Sequence, residues 1–475
     1  MAPDAQDGGI RRVRRWPAWL AWGVCLVLLA GSAWYVSGPL AVQRGWLIEG
    51  GEATVNPELI AGIHPDPANL GAGVADPARI PSAAAADRGR VGAALAATPP
   101  DLPGSYSGAV ADLGGGGLLY DLDSGRPMIP ASTLKVMTGL AVLDTLGADA
   151  TFTTRVVLAG SDHVVLVGGG DPMLASTAGS HPYHEELALP STEALAVQTA
   201  ERLRSQGIAR VTVGYDDSLF AQDSWHATWP AGDRTFVAPI TALSVDGGAA
   251  AQELTSPSVP AAQTFADQLR QAGIEVAGTP APAPAGGGAE LASVDSAPLG
   301  LIVQQLLVHS DNYLAEMLLR QLAIAEGQPA TFAGGAGALT ARLTALGLWY
   351  PGQQIVDGSG LSTDNRLTTM ALIGGLQLAA ERSELGWLLA GLPVGCATGT
   401  LANRFTDEAS AAGRGQVRAK TGTLDRVSAL AGYTTTSDGG LLAFAFVGND
   451  LPADRDVRPW FDHVGAALAG CDCVA

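Results

Sequence analysis

A helical segment early in the chain and a run of strands at its far end limit how this sequence can close into a core. Residues 132–146 read as a helix. Pro130 precedes it, Ser132 and Thr133 start it, Leu134, Met137, Leu140 and Leu143 recur at helical spacing, and Gly147 ends it. Residues 416–424, 427–435 and 441–447 read as strands, the last two joined through Asp438-Gly439-Gly440, and an amphipathic helix follows around 460–468. Two earlier strand-like runs, 108–113 and 117–122, flank glycines that make a hairpin turn rather than a phosphate loop. The pattern predicts an α/β (α+β) fold with an antiparallel sheet closed by both ends of the chain.

At 475 residues the chain has room for two or three domains. Arg11, Arg12, Arg14 and Arg15 precede a charge-free, largely apolar run at 16–42, longer than the roughly 20 residues that a spanning helix needs. Residues 1–46 are therefore expected to be a cytoplasmic basic flank and a membrane anchor, or a signal peptide cut near Ala33, with everything beyond lying outside the cytoplasm. An Ala/Pro/Gly-rich linker over 47–95 would hold the rest off the membrane. The remainder divides into a first part over 96–151, an inserted domain over 152–291 and a second part over 292–475. Within the insertion, Gly168-Gly169-Gly170-Asp171-Pro172 follows a strand but lacks dinucleotide-loop spacing, and reads as a structural turn.

A net charge of −19 repels phosphates and anionic surfaces, so no nucleic-acid partner is expected. The four cysteines, Cys25, Cys396, Cys471 and Cys473, form no metal-binding pattern, and any disulfide is expected to join Cys396 to the tail pair. His181, Tyr183 and His184 lack an acidic partner for a metal, the two histidines among them are expected on a surface loop, and His226 and His309 in local packing. Neither a metal nor a cofactor is expected.

Only two of the 27 basic residues are lysines, Lys135 and Lys420. Arginine stays protonated in any protein setting, whereas a buried lysine can shed its proton. Each lysine sits in a short motif: Ser132-Thr133-Leu134-Lys135 first, Lys420-Thr421-Gly422-Thr423 last, with Ser310-Asp311-Asn312 between them. These are the parts acyl transfer needs, because a serine hydroxyl is a poor nucleophile until a neighbouring base takes its proton. Lys135, one helical turn from Ser132, suits that role. A second ammonium at Lys420 is expected to lower its proton affinity, and Ser310 to pass the proton to the leaving amine. Backbone N–H groups at Ser132 and on an edge strand at Thr423 suit the oxyanion, and Lys420, Thr421 and Thr423 suit a substrate carboxylate.

The wording and order of these motifs resemble the penicillin-binding proteins and class A β-lactamases. Pro130-Ala131-Ser132-Thr133, the Gly168 to Pro172 turn, Asp357-Gly358-Ser359-Gly360-Leu361-Ser362, Leu392-Pro393 and Gly399-Thr400-Leu401 narrow the resemblance. They look like the class C low-molecular-mass penicillin-binding proteins, over roughly residues 95–470. The resemblance implies a transpeptidase-like domain of antiparallel sheet and helical cluster, interrupted by a smaller inserted domain. It implies a serine D-Ala-D-Ala carboxypeptidase/endopeptidase that forms an acyl-enzyme with peptidoglycan stem peptides and is blocked covalently by β-lactams. By the same analogy Asn312 holds the substrate's peptide amide, while Gly422 and Leu424 border the binding cleft. The insertion is short for that family, and Gly395-Cys396-Ala397-Thr398 is unusual wording. Two other readings compete: a β-lactamase or esterase of the same fold, for which no ExxxN loop is found between Ser132 and Ser310, and a non-catalytic anchored pseudoenzyme, against which all three intact motifs speak.

Overall fold

The structure is a computed structural model that describes residues 83–475, apart from 184–186, 188, 222 and 252–255. The apolar run at 16–42 lies outside the described residues, among which no helix is long and apolar enough to cross a membrane. The described chain begins with a short helix, Arg88–Ala96, and the hairpin β1 (Ser105–Asp112) and β2 (Leu118–Leu122). A helix, Leu134–Leu146, follows, then β3 (Thr153–Leu158), β4 (His163–Val167), β5 (Arg210–Asp216), β6 (Glu275–Pro282) and β7 (Ala289–Asp295). Four longer helices, Leu299–Val308, Asn312–Ala325, Phe332–Ala345 and Thr369–Glu381, lead to β8 (Val417–Leu424), β9 (Val427–Thr435), β10 (Leu441–Asn449) and a last helix, Arg458–Ala469.

Both ends of the described part of the chain share a sheet, of order β2-β1-β10-β9-β8, antiparallel throughout, with Ser105 opposite Asn449 and Asp112 opposite Leu442. Period-two alternation gives it two different faces. Val110, Leu430, Leu442 and Phe444 pack with Trp460, Phe461 and Val464 of the last helix. The other face offers small side chains, Ala109, Ala111, Ala431, Ala443 and Ala445, to the helical core. Helix Leu134–Leu146 runs through that core with every residue from Leu134 to Leu143 buried, so it is apolar nearly all round instead of amphipathic. Lys135 lies inside this buried stretch. Such a lysine is tolerable only where its amine is fully hydrogen-bonded.

A second five-stranded sheet, of order β6-β5-β4-β3-β7, is built wholly from residues 153–295. Its β4, β5 and β6 run parallel, and the helices Thr192–Ser205 and Ser258–Gln271 cover it with an apolar core of their own. The Gly168 to Pro172 turn docks it against the helical core. Gln321 Nε2 donates to the carbonyls of Gly169 and Gly170 at 2.8 and 3.2 Å, and Asp171, its carboxyl pushed up to about 7 by burial, accepts from Met173 N.

Two expectations fail here. The disulfide joins Cys471 to Cys473, and Cys396 is a free thiol. The tail turns tightly enough to bring the Cα atoms of the pair to 5.1 Å, within bridging range, while Cys396 is held in a separate turn by its N–H to Leu401 O. His181 is buried rather than on the surface: its Nδ1 accepts from Tyr183 N and its ring lies against the Tyr183 ring. His226 packs against Trp229 and Phe332, and His309 stacks on Tyr183.

Candidate active site

Ala131–Thr133 forms a tight turn that runs directly into helix Leu134–Leu146, so Ser132 and Lys135 meet across one turn. Ala131 takes the left-handed backbone conformation, φ 47°, at the point where the chain swings Ser132 to the helix mouth. Helix-start amides have no intrahelical acceptor, which leaves the N–H at Ser132 suited to an anion. The loop that carries Ser359 presses against this turn. At Gly360, φ +80°, a side chain would sit 1.9 Å from Ala131 O, so only glycine fits.

Lys135 is fully buried, and its Nζ lies 2.9 Å from Ser132 Oγ, 2.6 Å from Asn312 Oδ1 and 2.7 Å from Ser359 O. The amide of Asn312 is oriented by its Nδ2, which donates to Phe236 O at 3.1 Å. Two of the three partners are therefore acceptors only. A neutral amine has two N–H groups and one lone pair, so those acceptors take both N–H groups and the lone pair faces the serine. Ser132 can donate or accept, so Lys135 can change protonation at that contact without losing a hydrogen bond. Burial lowers the Lys135 amine to about 8, against the upward pull of Glu316, Asp357 and Asp311.

Ser310 sits between two helices. Helix Leu299–Val308 ends in a Schellman-type cap, with Asp311 N donating to Leu306 O, and Ser310 fills the left-handed position, φ 57°, that glycine usually takes. Asp311 then caps helix Asn312–Ala325 through its Oδ1 and accepts from the Tyr183 hydroxyl at 2.6 Å. This reversal brings Ser310 Oγ to 2.8 Å from Lys420 Nζ, which also donates to Thr421 O. Lys420 is equally buried, and its proton affinity falls well below that of a free lysine, first through burial and then through the charge of Lys135. Sequence reasoning expected Lys420 to depress Lys135. Burial is the first cause at both lysines, and the carboxylates around Lys135 pull that one back up.

Lys420, Thr421, Gly422, Thr423 and Leu424 occupy β8, the edge of the sheet. Ala419 N donates away from β9, to Pro393 O, so by alternation the N–H groups of Thr421 and Thr423 face the open edge. Gly422 passes so close to the Ser132 turn that a side chain there would meet Pro130 O at 2.8 Å. Thr421 Oγ1 lies 2.9 Å from Thr400 Oγ1, and Leu424 packs against the helical core. Sequence reasoning gave no role to Glu316, Ser359, Thr400 or Phe236. The Asp357 to Ser362 and Gly399 to Leu401 wording was the available signal for two of them.

What such an arrangement can do is take a proton from a serine, hold a negative oxygen and return the proton: acyl transfer through a serine ester, the chemistry of penicillin-recognising enzymes. The model of the D-Ala-D-Ala carboxypeptidase 3 (S13) family matches residues 90–260 and 253–468, and the chain belongs to that family. It is similar to a carboxypeptidase of Mycobacterium tuberculosis, 37% identical over 88% of this chain and 89% of the relative. Carboxypeptidase DacB of Mycolicibacterium smegmatis is 36% identical over 84% of this chain and 89% of its own length. Penicillin binding protein 4 from Haemophilus influenzae shares the fold, with a TM-score of 0.65 at 20% identity, over 80% of this chain and 98% of that one. The chain is a serine-type D-Ala-D-Ala carboxypeptidase acting on peptidoglycan.

Proposed function

We propose that Ser132 is the nucleophile, Lys135 its base, and the Ser310–Lys420 pair the route by which the proton reaches the leaving amine. Ser132 Oγ attacks the carbonyl of the penultimate D-alanine while Lys135 Nζ takes the hydroxyl proton. The tetrahedral oxyanion rests on N–H groups of Ser132 and Thr423. The C–N bond breaks as Ser310, backed by Lys420, protonates the departing D-alanine amine. Water then hydrolyses the ester and frees Ser132. Lys420, Thr421 and Thr423 hold the terminal carboxylate and Asn312 the stem-peptide amide, with Gly422 and Leu424 lining the cleft; a β-lactam acylates the same serine. The observation that carries this reading is the Lys135 amine 2.9 Å from Ser132 Oγ, with its other two contacts on acceptors. Peptide mapping of penicillin-labelled protein should place the adduct on Ser132. An adduct on Ser310 or Ser359 with Ser132 unmodified would overturn the assignment.

The same reading treats residues 152–291 as an inserted domain within a catalytic domain formed by 96–151 and 292–475. It puts that enzyme outside the cytoplasm, held by an N-terminal anchor over 1–46 and spaced by 47–95, except that the last part of this stretch belongs to the catalytic domain: helix Arg88–Ala96 buries Val91 and Leu95 in one core with the last helix. Support comes from the arginine flank and charge-free run in the sequence. A reporter that works only outside the cytoplasm, fused after residue 60, should be active; silence of a stably made fusion would refute export.

A further inference from the structure

Glu316 stands one turn beyond Asn312 on helix Asn312–Ala325, completely buried. Its carboxylate accepts from Gly358 N at 3.0 Å and from Ser359 N at 2.7 Å. The carbonyl of the same Ser359 is one of the two acceptor-only partners of Lys135 Nζ. From the opposite side Thr138, one turn beyond Lys135, donates to Gly358 O at 2.7 Å. The Gly358–Ser359 backbone is thus pinned between the helix that carries Asn312 and the helix that carries Lys135. Asp357 is satisfied separately, by Gly360 N, Ser362 N, Asn365 Nδ2 and Trp229 Nε1. Burying a carboxylate costs several kcal/mol when it serves packing alone, and a Met or Leu would fill the volume without that cost.

We infer that Glu316 is a positioning residue for acylation: it aims the Ser359 carbonyl at Lys135 and supplies the negative charge that fixes the pH at which Lys135 becomes a base. The inference rests on Lys135 being that base. The charged groups around Lys135 are Glu316 on its helix, Asp357 in the Ser359 loop, Asp311 at the Ser310 turn and Lys420 on β8. Those around Glu316 are Asp357, Lys135 and, one turn along, Arg320, which is already paired with Asp223. Burial and then Asp357 push the Glu316 carboxyl upward, the Gly358 and Ser359 N–H groups hold it down, and the Lys135 ammonium beside it favours the carboxylate, so the two ionise as a pair. Arg320 and Asp223 form a closed pair, and Asp357 is surrounded by four donors. Glu316 is then the carboxylate most directly coupled to the Lys135 ammonium through shared partners.

The sign follows. A negative charge near an ammonium favours the protonated form, so its removal lets Lys135 lose the proton at lower pH. Acylation by benzylpenicillin, followed as k2 and K separately across pH, should rise along an acid limb as Lys135 deprotonates. In Glu316→Gln that limb should move about one unit toward lower pH. Its plateau should also fall about tenfold, because the amide NH2 turns a donor toward the Gly358 N–H. Glu316→Asp keeps the charge on a shorter stem. Its limb should return most of the way to the wild-type position while k2 stays reduced and K is little changed. A folded Glu316→Gln whose limb coincides with the wild type overturns the inference, whatever its plateau. Should that variant not fold, Glu316→Asp decides, and a wild-type k2 there overturns it. Failure of the underlying reading shows differently: Lys135→Arg would then acylate freely, irrespective of what Glu316 does.

Discussion

Lys135 and Lys420 are buried to the same degree, yet one is surrounded by acids and the other is not. Lys135 sits on a helix with Glu316, Asp357 and Asp311 pulling its proton affinity up against burial. Lys420 sits on an edge strand with a hydroxyl and a carbonyl for company, and the charge of Lys135 pushes its affinity further down. Two chemically identical side chains are thereby made unequal by their neighbours alone. On the proposed path the carboxylates stabilise the ammonium that Lys135 becomes when it takes the Ser132 proton, while Lys420 stands as a cation behind Ser310 and beside the substrate carboxylate. A sheet edge suits the cation, since its partners can be a serine and a substrate. A helix buried on all sides suits the acceptor, since its partners are fixed.

The largest expected effect tests the acceptor. Lys135→Arg installs a guanidinium that cannot deprotonate, and acylation by penicillin should fall by 10⁴-fold or more, at or beyond the upper end of the roughly 10²–10⁴ usual for a lost general base. Circular dichroism must first show the variant folded; a mild loss would mean that the two lysines are not unequal in the way their surroundings indicate. Next comes Ser310→Gly, which removes the hydroxyl from Lys420 while relaxing a left-handed residue that costs about 1 kcal/mol. Peptide turnover should drop by about 10²-fold while the melting temperature holds or rises. Unchanged turnover would take Ser310 out of the proton route. The smallest effect is expected at Lys420→Arg, which keeps the charge but alters shape: roughly tenfold, more in KM for peptide than in penicillin acylation. An equal collapse at both lysines would erase the distinction.

The pairing of Ser132 with Lys135 was legible in the sequence because three residues of a helix span one turn whatever surrounds them. The strands 417–424, 427–435 and 441–449 were legible for a similar reason, since alternation is local. Glu316 was not, because its purpose lies in two amides at Gly358 and Ser359 that only tertiary folding brings near. Thr400 was hidden likewise, its hydroxyl meeting Thr421 across a turn without periodicity. The tail disulfide was misjudged because two cysteines one residue apart say nothing about how sharply the chain between them bends. The upward pull on Lys135 escaped because sequence revealed both cations but not the three acids placed around one of them.

The pairing of β1 with β10 sets a timetable for the newborn chain. Ser105 cannot meet Asn449 until the 343 residues between them have been made. The sheet drawn from residues 153–295 can assemble much earlier, from neighbouring segments. During that interval the β1–β2 hairpin waits with an apolar edge unpaired, a state open to wrong partners. Its closure also brings β8 against the Ser132 turn, so a truncated or stalled chain has no complete active site. A hydrolase of peptidoglycan is thus inert until β10 arrives.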